Sequence, residues 1–173
     1  MLADVRVGQG FDAHAFSTDP ARALVLGGVV IPGAAGLEGH SDADVVLHAV
    51  VDALLGAAGL GDLGSLVGVD EAGTAGASSR TFLAQACARL SSAGWAPGNL
   101  DVTVVAARPR LGSHRAAMRE RIAADVAVSL EAVNVKATTT DGLGWTGRGE
   151  GIAAFATVLV HKAETDGSGP GPA

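Results

Sequence analysis

Apolar and polar positions alternate through residues 4–10 (DVRVGQG), a pattern that predicts a short strand with one buried face. A β-branched, apolar run at 23–31 (ALVLGGVVI) predicts a second strand, stopped at Pro32 and followed by a Gly-rich loop over 33–39. Ser41 or Asp42 offers a cap for a helix reaching about Ala58, where Gly59 and Gly61 end it. Valine, leucine and alanine occupy almost all of this helix, so it should be buried nearly all round. Residues 62–77 are rich in glycine and poor in large apolar groups, which predicts a long surface loop. Ser78 or Ser79 then opens a helix to about Ala93, stopped by Gly94. A strand follows at 99–107, a helix charged on one face at 113–130, and a strand at 133–138. Residues 152–161 (IAAFATVLVH) fit helix or strand by period alone, and the β-branched residues near the end favour strand.

Interleaved strands and helices without an internal repeat predict a single α+β (or α/β) domain over 1–163. Its outline is ferredoxin-like, with the helices on one face of the sheet. The polar, Gly/Pro-rich stretch 164–173 is expected to be a disordered tail.

Composition narrows the function. The hydrophobic share of 48% supplies a core, while an aromatic share of 3% and a net charge of −6 leave neither stacking platforms nor a basic face for nucleic acid. An acidic protein that handles a phosphorylated ligand needs metal ions, a few arginines or backbone N–H groups to attract it. The single cysteine, Cys87, sits in an apolar helical pattern and excludes both an internal disulfide and a cysteine-based zinc site. No apolar run has the length of a membrane span or of a signal peptide, so a cytoplasmic protein is expected.

Four constellations carry candidate chemistry. In Asp12-Ala13-His14, residues i and i+2 of an extended chain turn a carboxylate and an imidazole to one side, half of a zinc site. A solvated Asp and His would leave the same trace. Asp44, His48 and Asp52, spaced by four, form the one polar stripe of the apolar helix, just after His40-Ser41-Asp42. His48 completes a two-His, one-carboxylate set that leaves a fourth position open, and Asp44 or Asp52 can orient a histidine from behind. The loop 138–151 (TTTDGLGWTGRGEG) gathers hydroxyls, Asp141, Arg148 and glycines whose backbone N–H groups can approach oxyanions. It matches neither a P-loop nor a dinucleotide fingerprint, and a solvated Gly-rich hairpin is the plain alternative. Arg108-Pro109-Arg110 stands at a strand's end, where such sheets often meet ligands. His114 and His161 are read as surface residues without a role.

Together the stretches GQGFDAHAF (8–16), LGGVVIP (26–32), GHSDADVVLHAVVDALLGAAGLGDLG (39–64) and NVKATTTDGLGWTGRGEGIAA (134–154) resemble the 2-C-methyl-D-erythritol 2,4-cyclodiphosphate synthase family, over about residues 4–162. The resemblance implies a homotrimer with active sites between neighbouring subunits and a Zn2+ held by Asp12, His14 and His48. It implies substrate contacts from Asp12, His14, His40 and Ser41, with His40 and Thr139 stabilising the transition state. Asp62 and Gly64, with Leu63 between them, would reach sugar hydroxyls. Residues 106–112 (Ala106, Arg108, Pro109, Arg110 and Leu111 among them) would enclose the cytosine, mostly through backbone groups. Thr138, Thr139, Thr140 and Asp141 would lie along the diphosphate and its Mg2+ or Mn2+, and Trp145 and Arg148 would contact substrate or the trimer axis. The implied substrate is a small cytidyl diphosphate, and the implied reaction is cyclisation with release of CMP in the non-mevalonate isoprenoid pathway. Where many members carry Glu, this chain has Asp141, one methylene shorter, so metal contact there is expected through water. The family's Phe-Pro-Asp loop is replaced by Ser65-Leu66-Val67-Gly68-Val69-Asp70-Glu71, where Asp70 or Glu71 would stand in. A zinc-dependent phosphoesterase and a non-catalytic isoprenoid-phosphate binder are the competing readings of the same residues.

Overall fold

The computed structural model describes residues 4–68 and 76–163. Strands β1 (Val5–Ala15), β4 (Trp95–Val105), β5 (Val133–Thr138) and β6 (Gly151–Lys162) form one sheet in the order β1-β6-β4-β5. β6 runs antiparallel to both neighbours, while β4 and β5 are parallel, joined by a crossover through α4 (Arg115–Val126). Helices α1 (Val45–Ala58), α3 (Ser79–Ser92) and α4 cover one face, as the alternation in the strands implies. The core lies between, built from Leu47, Leu54, Leu83, Leu100, Ile122, Ile152 and their neighbours. This is the expected α+β sheet with helices on one face, and the sheet is mixed.

Three local expectations change. The run 23–31 is a hairpin, β2 (Ala23–Leu26) and β3 (Val29–Ala35), not one strand, and β3 continues through Pro32. Gly27 and Gly28 both have positive φ (60° and 72°), the backbone a two-residue hairpin loop demands and side chains resist. Residues Leu63–Val67 form a short helix, α2, where a loop was expected, because Asp62 and Ser65 make a reciprocal capping box. Asp70 and Glu71, the substitutes expected in the Phe-Pro-Asp region, lie outside the described residues, as does the tail 164–173.

The cap of α1 is Asp44 rather than Ser41 or Asp42. Its fully buried carboxylate accepts N–H bonds from Val46 (3.0 Å) and Leu47 (3.1 Å) at the helix start. It also accepts them from Gly27 (2.8 Å) and Gly28 (2.6 Å) in the hairpin turn. Burial pushes the carboxyl up to about 6, against the N–H donors of Gly28, Gly27 and Leu47, which favour its ionised form. One side chain therefore ties the β2–β3 hairpin to α1. Asp44→Ala leaves these donors unsatisfied, at about 1–3 kcal/mol for each buried group, and removes a helix cap worth about 1 kcal/mol. Urea denaturation should show the variant destabilised by about 3 kcal/mol or more. A loss below 1 kcal/mol would mean the hairpin does not depend on this anchor.

α1 lies unusually close to β1. A Cβ placed on Gly8 would meet the Ala53 carbonyl oxygen at 2.0 Å, and one on Gly10 would meet that of Ala49 at 1.9 Å. Gly8, Gly10, Asp12 and His14 alternate along one face of β1, so the same approach that needs glycine brings α1 up to Asp12 and His14.

Candidate metal centre and cavity

His48 sits one turn beyond the cap of α1, facing the end of β1. Its Nδ1 is 2.9 Å from Asp12 Oδ2, and His14 Nε2 is 3.0 Å from the same oxygen. Ligand atoms of all three lie within 4.8 Å of one another, and this is the metal-ligand group found among the described residues. The spacing of residues in the sequence thus closes into the carboxylate–imidazole–imidazole set it suggested. Burial acts to raise the Asp12 carboxyl, but the hydrogen bonds and charges of His14 and His48 outweigh it and hold the group well below the usual carboxylate range. The Asp12 hydrogen bond raises His14, with burial opposing. Such a set fits a small, borderline-soft divalent cation: deprotonated oxygen and neutral imidazole nitrogens are its ordinary donors.

Each histidine has a partner for its other ring nitrogen. His14 Nδ1 meets the Glu38 carbonyl oxygen. His48 Nε2 meets the Ser79 hydroxyl at 2.9 Å, with the Ser41 hydroxyl farther off at 3.4 Å. Asp44 and Asp52, expected to orient a histidine, do other work. Asp44 is the cap described above, and Asp52 accepts the Leu63 N–H at 2.7 Å, holding α2 against α1. Sequence reasoning assigned Ser79 only as one of two possible helix caps. Ser78 takes that task, which frees Ser79 to turn inward; the doubled serine was the available signal.

The triad opens into a cavity of about 260 Å³ lined also by His40, Ser41, Leu63 and Gly64. The loop carrying His40 and Ser41 is held by Arg22, whose guanidinium donates to the carbonyl oxygens of Gly39 (2.8 Å) and Ser41. Asp62 is beside this cavity rather than in its wall: one carboxylate oxygen accepts the Ser65 N–H (2.8 Å) in the α2 cap.

The other candidate residues gather elsewhere. Parallel pairing sets Val105 opposite Thr138, and the Ala106 N–H donates to the Thr138 carbonyl (3.0 Å), so the segments beyond β4 and β5 leave the sheet together. Ala106, Pro109, Arg110, Leu111, Thr138 and Thr139 line a second cavity, of about 510 Å³. Arg108 turns away from it, toward the Phe16 ring and the Gly149 carbonyl. Asp141 takes a left-handed φ of 49° and accepts the Thr139 hydroxyl at 2.9 Å. The Thr140 hydroxyl donates to the Leu143 carbonyl (2.6 Å), closing the loop on itself. Trp145 lines a recess together with Ala13, His14, Ala15 and Glu150, and Arg148 pairs with Glu150 at 2.6 Å in solvent. The triad cavity and the threonine cavity share no lining residue.

An α+β sheet with an Asp–His–His group at the end of an edge strand, opening on a cavity, defines a small protein with a pocket able to hold a metal ion. The chain belongs to the YgbB family, whose pattern it matches over residues 5–161, and this is the family of the 2-C-methyl-D-erythritol 2,4-cyclodiphosphate synthases. It is 53% identical to the protein of that name from Azoarcus sp. (strain BH72), over 95% of this chain and the whole of the relative. Among solved structures, the bifunctional IspDF of Campylobacter jejuni superposes with a TM-score of 0.89 at 39% identity, covering 94% of this chain; the chain spans 43% of that longer protein. IspF of Plasmodium falciparum, solved as a CDP complex, superposes with a TM-score of 0.81 at 30% identity, covering 95% of this chain and all of the other. No described helix is long and apolar enough to cross a membrane.

Proposed function

We propose that the chain converts 4-diphosphocytidyl-2-C-methyl-D-erythritol 2-phosphate into 2-C-methyl-D-erythritol 2,4-cyclodiphosphate and CMP, as a metal-dependent, cytoplasmic enzyme of isoprenoid synthesis. The observation that carries this reading is the convergence of Asp12, His14 and His48 beside a cavity, in a chain so similar to named synthases. In the reaction an oxygen of the 2-phosphate bonds to the β-phosphorus, and the bond from that phosphorus to the oxygen bridging the two phosphates breaks. CMP departs with that bridging oxygen, so no enzyme nucleophile is needed. A Zn2+ on the triad, with Mg2+ or Mn2+ at the diphosphate near Asp141, would supply positive charge to the phosphate oxygens.

The protein's part is to hold attacking and leaving groups in line and to favour the charge that builds on the equatorial oxygens. His40 and Ser41, on the loop held by Arg22, line the triad cavity where the substrate phosphates would lie. Thr138, Thr139 and the backbone of 106–111 form the wall suited to a nucleotide, and the CDP complex of the P. falciparum relative supports that use. The two cavities share no lining residue, and in this reading a second copy of the chain brings its threonine loop to the triad. The outer face of the sheet suits such a contact: Val5, Val7, Phe11 and Phe155 are exposed there, with the two phenylalanine rings 4.8 Å apart. A homotrimer with sites between its subunits is the assembly proposed.

Product analysis tests it. Purified protein given the cytidyl diphosphate substrate with Zn2+ and Mg2+ should yield CMP and the cyclic diphosphate, and a chelator should abolish both. An open-chain product would replace this reading with a phosphoesterase; absence of turnover by folded, metal-loaded protein would replace it with a binding role.

A further inference from the structure

The geometry points to Ser79 and Asp42 as a proton-ordering relay that fixes His48 as the Nε2–H tautomer and so turns its Nδ1 lone pair toward Asp12 and His14. Ser79 and Asp42 are positioning residues, since neither faces the cavity. The inference rests on the metal reading above.

The Ser79 side chain is wholly buried, and its hydroxyl has two close partners: a carboxylate oxygen of Asp42 and His48 Nε2 at 2.9 Å. A hydroxyl has one proton to give. Asp42 also accepts the Ser79 N–H, at 3.1 Å and 3.2 Å to its two oxygens, and one of those oxygens accepts the Asp44 N–H at 3.3 Å. It is therefore held as an acceptor in a fixed position. If the hydroxyl proton pointed to His48, the Ser79 oxygen and an acceptor-only carboxylate oxygen would stand in hydrogen-bond contact with no proton between them. The proton lies on the Asp42 side, and the Ser79 oxygen then has only lone pairs for the imidazole. His48 must donate from Nε2, and when a metal takes the place of the Nδ1 contact to Asp12 (2.9 Å), the neutral ring offers it the Nδ1 lone pair. The Ser41 hydroxyl is farther off, 3.4 Å from Nε2; its oxygen accepts the Ala43 N–H at 3.2 Å, and its own proton can go to the Ser79 oxygen at 3.5 Å.

The arrangement has a counterpart within the same site. His14 Nδ1 faces the Glu38 carbonyl oxygen, which can only accept, so His14 likewise donates outward and turns Nε2 inward. One histidine is set by a backbone carbonyl and the other by a hydroxyl that a carboxylate has made acceptor-only. The Ser79 contact also means that the start of α3 reports directly on the ring of a residue in α1.

Two measurements on zinc-titrated protein test the relay. Long-range 1H–15N spectra of histidine-labelled wild type, loaded with Zn2+ alone, should show His48 protonated at Nε2 and metal-bound at Nδ1. Competition against a chromophoric chelator should show Ser79→Ala binding Zn2+ about 10- to 100-fold more weakly than wild type, the usual effect of losing an outer partner of a metal-bound histidine. A His48 proton on Nδ1 in the loaded wild type, or wild-type zinc affinity in a folded Ser79→Ala, would overturn the relay while leaving the metal site standing. Failure of the wild type to take up zinc would overturn the metal reading and the relay with it. If the variant does not fold, the wild-type spectrum decides alone.

Discussion

His48→Ala should lose bound metal and turnover together. The ring is nearly buried, with Asp12 on one side and Ser79 on the other, so its removal takes away one of three ligands and opens a hole where water cannot restore the arrangement. Loss of an outer partner alone costs about 10- to 100-fold in affinity or activity, and loss of a ligand should exceed the upper end of that range. Metal analysis after gel filtration, paired with the product assay, makes the comparison. The variant should remain folded, because α1 keeps its cap and its apolar faces. Wild-type turnover by protein without bound zinc would remove the triad from the proposed chemistry.

Gly10→Ala should destabilise the fold and weaken the metal site in one step. The added methyl would lie 1.9 Å from the Ala49 carbonyl oxygen and 2.8 Å from the Ala53 nitrogen, and both obstacles are backbone. α1 must move off the sheet, and overpacking of this kind costs about 1–3 kcal/mol or more. Because Asp12 follows Gly10 on the same face and His48 precedes Ala49, the displacement should also part His48 from Asp12. Gly56→Ala in the same helix is the control. Its Cβ would meet nothing within 4 Å, so it should stabilise by about 0.5–1 kcal/mol through helix propensity. Urea midpoints and zinc titrations of the two variants should move in opposite and separate ways: one loses both properties, the other gains stability alone. Equal stability of Gly10→Ala and wild type would show that the helix can lift without cost.

Much of this was legible before any coordinates. Period-2 alternation marked β1, the β-branched ending marked β6, and D-x-H with His48 marked the ligands, because those signals are local or sit on one regular element. The Gly27-Gly28 hairpin was missed since two small apolar residues do not interrupt an apolar run, although paired glycines are a turn signal in their own right. Asp44 was misassigned because its i+4 spacing to His48 fits a helix face equally well whether the residue is the cap or the first turn. Ser79 and Asp42 could not have been paired from the sequence: the contact joins positions 37 apart, and only packing of α3 against α1 creates it. The placing of the triad and Thr138–Thr139 in walls of separate cavities was equally invisible, since the pattern of residues says which groups suit phosphate and not which cavity each one lines.

β1 is an edge strand, bonded to β6 alone within the described sheet, and edge strands are where pairing slips. A slip by one residue would turn Val7, Gln9 and Phe11 toward α1 and send Asp12 and His14 to the other face. The helix backbone leaves no room there even for a methyl group, so a slipped chain could not dock. The glycine seam thus acts as a steric proofreader during folding, admitting only the alignment in which the three ligands meet.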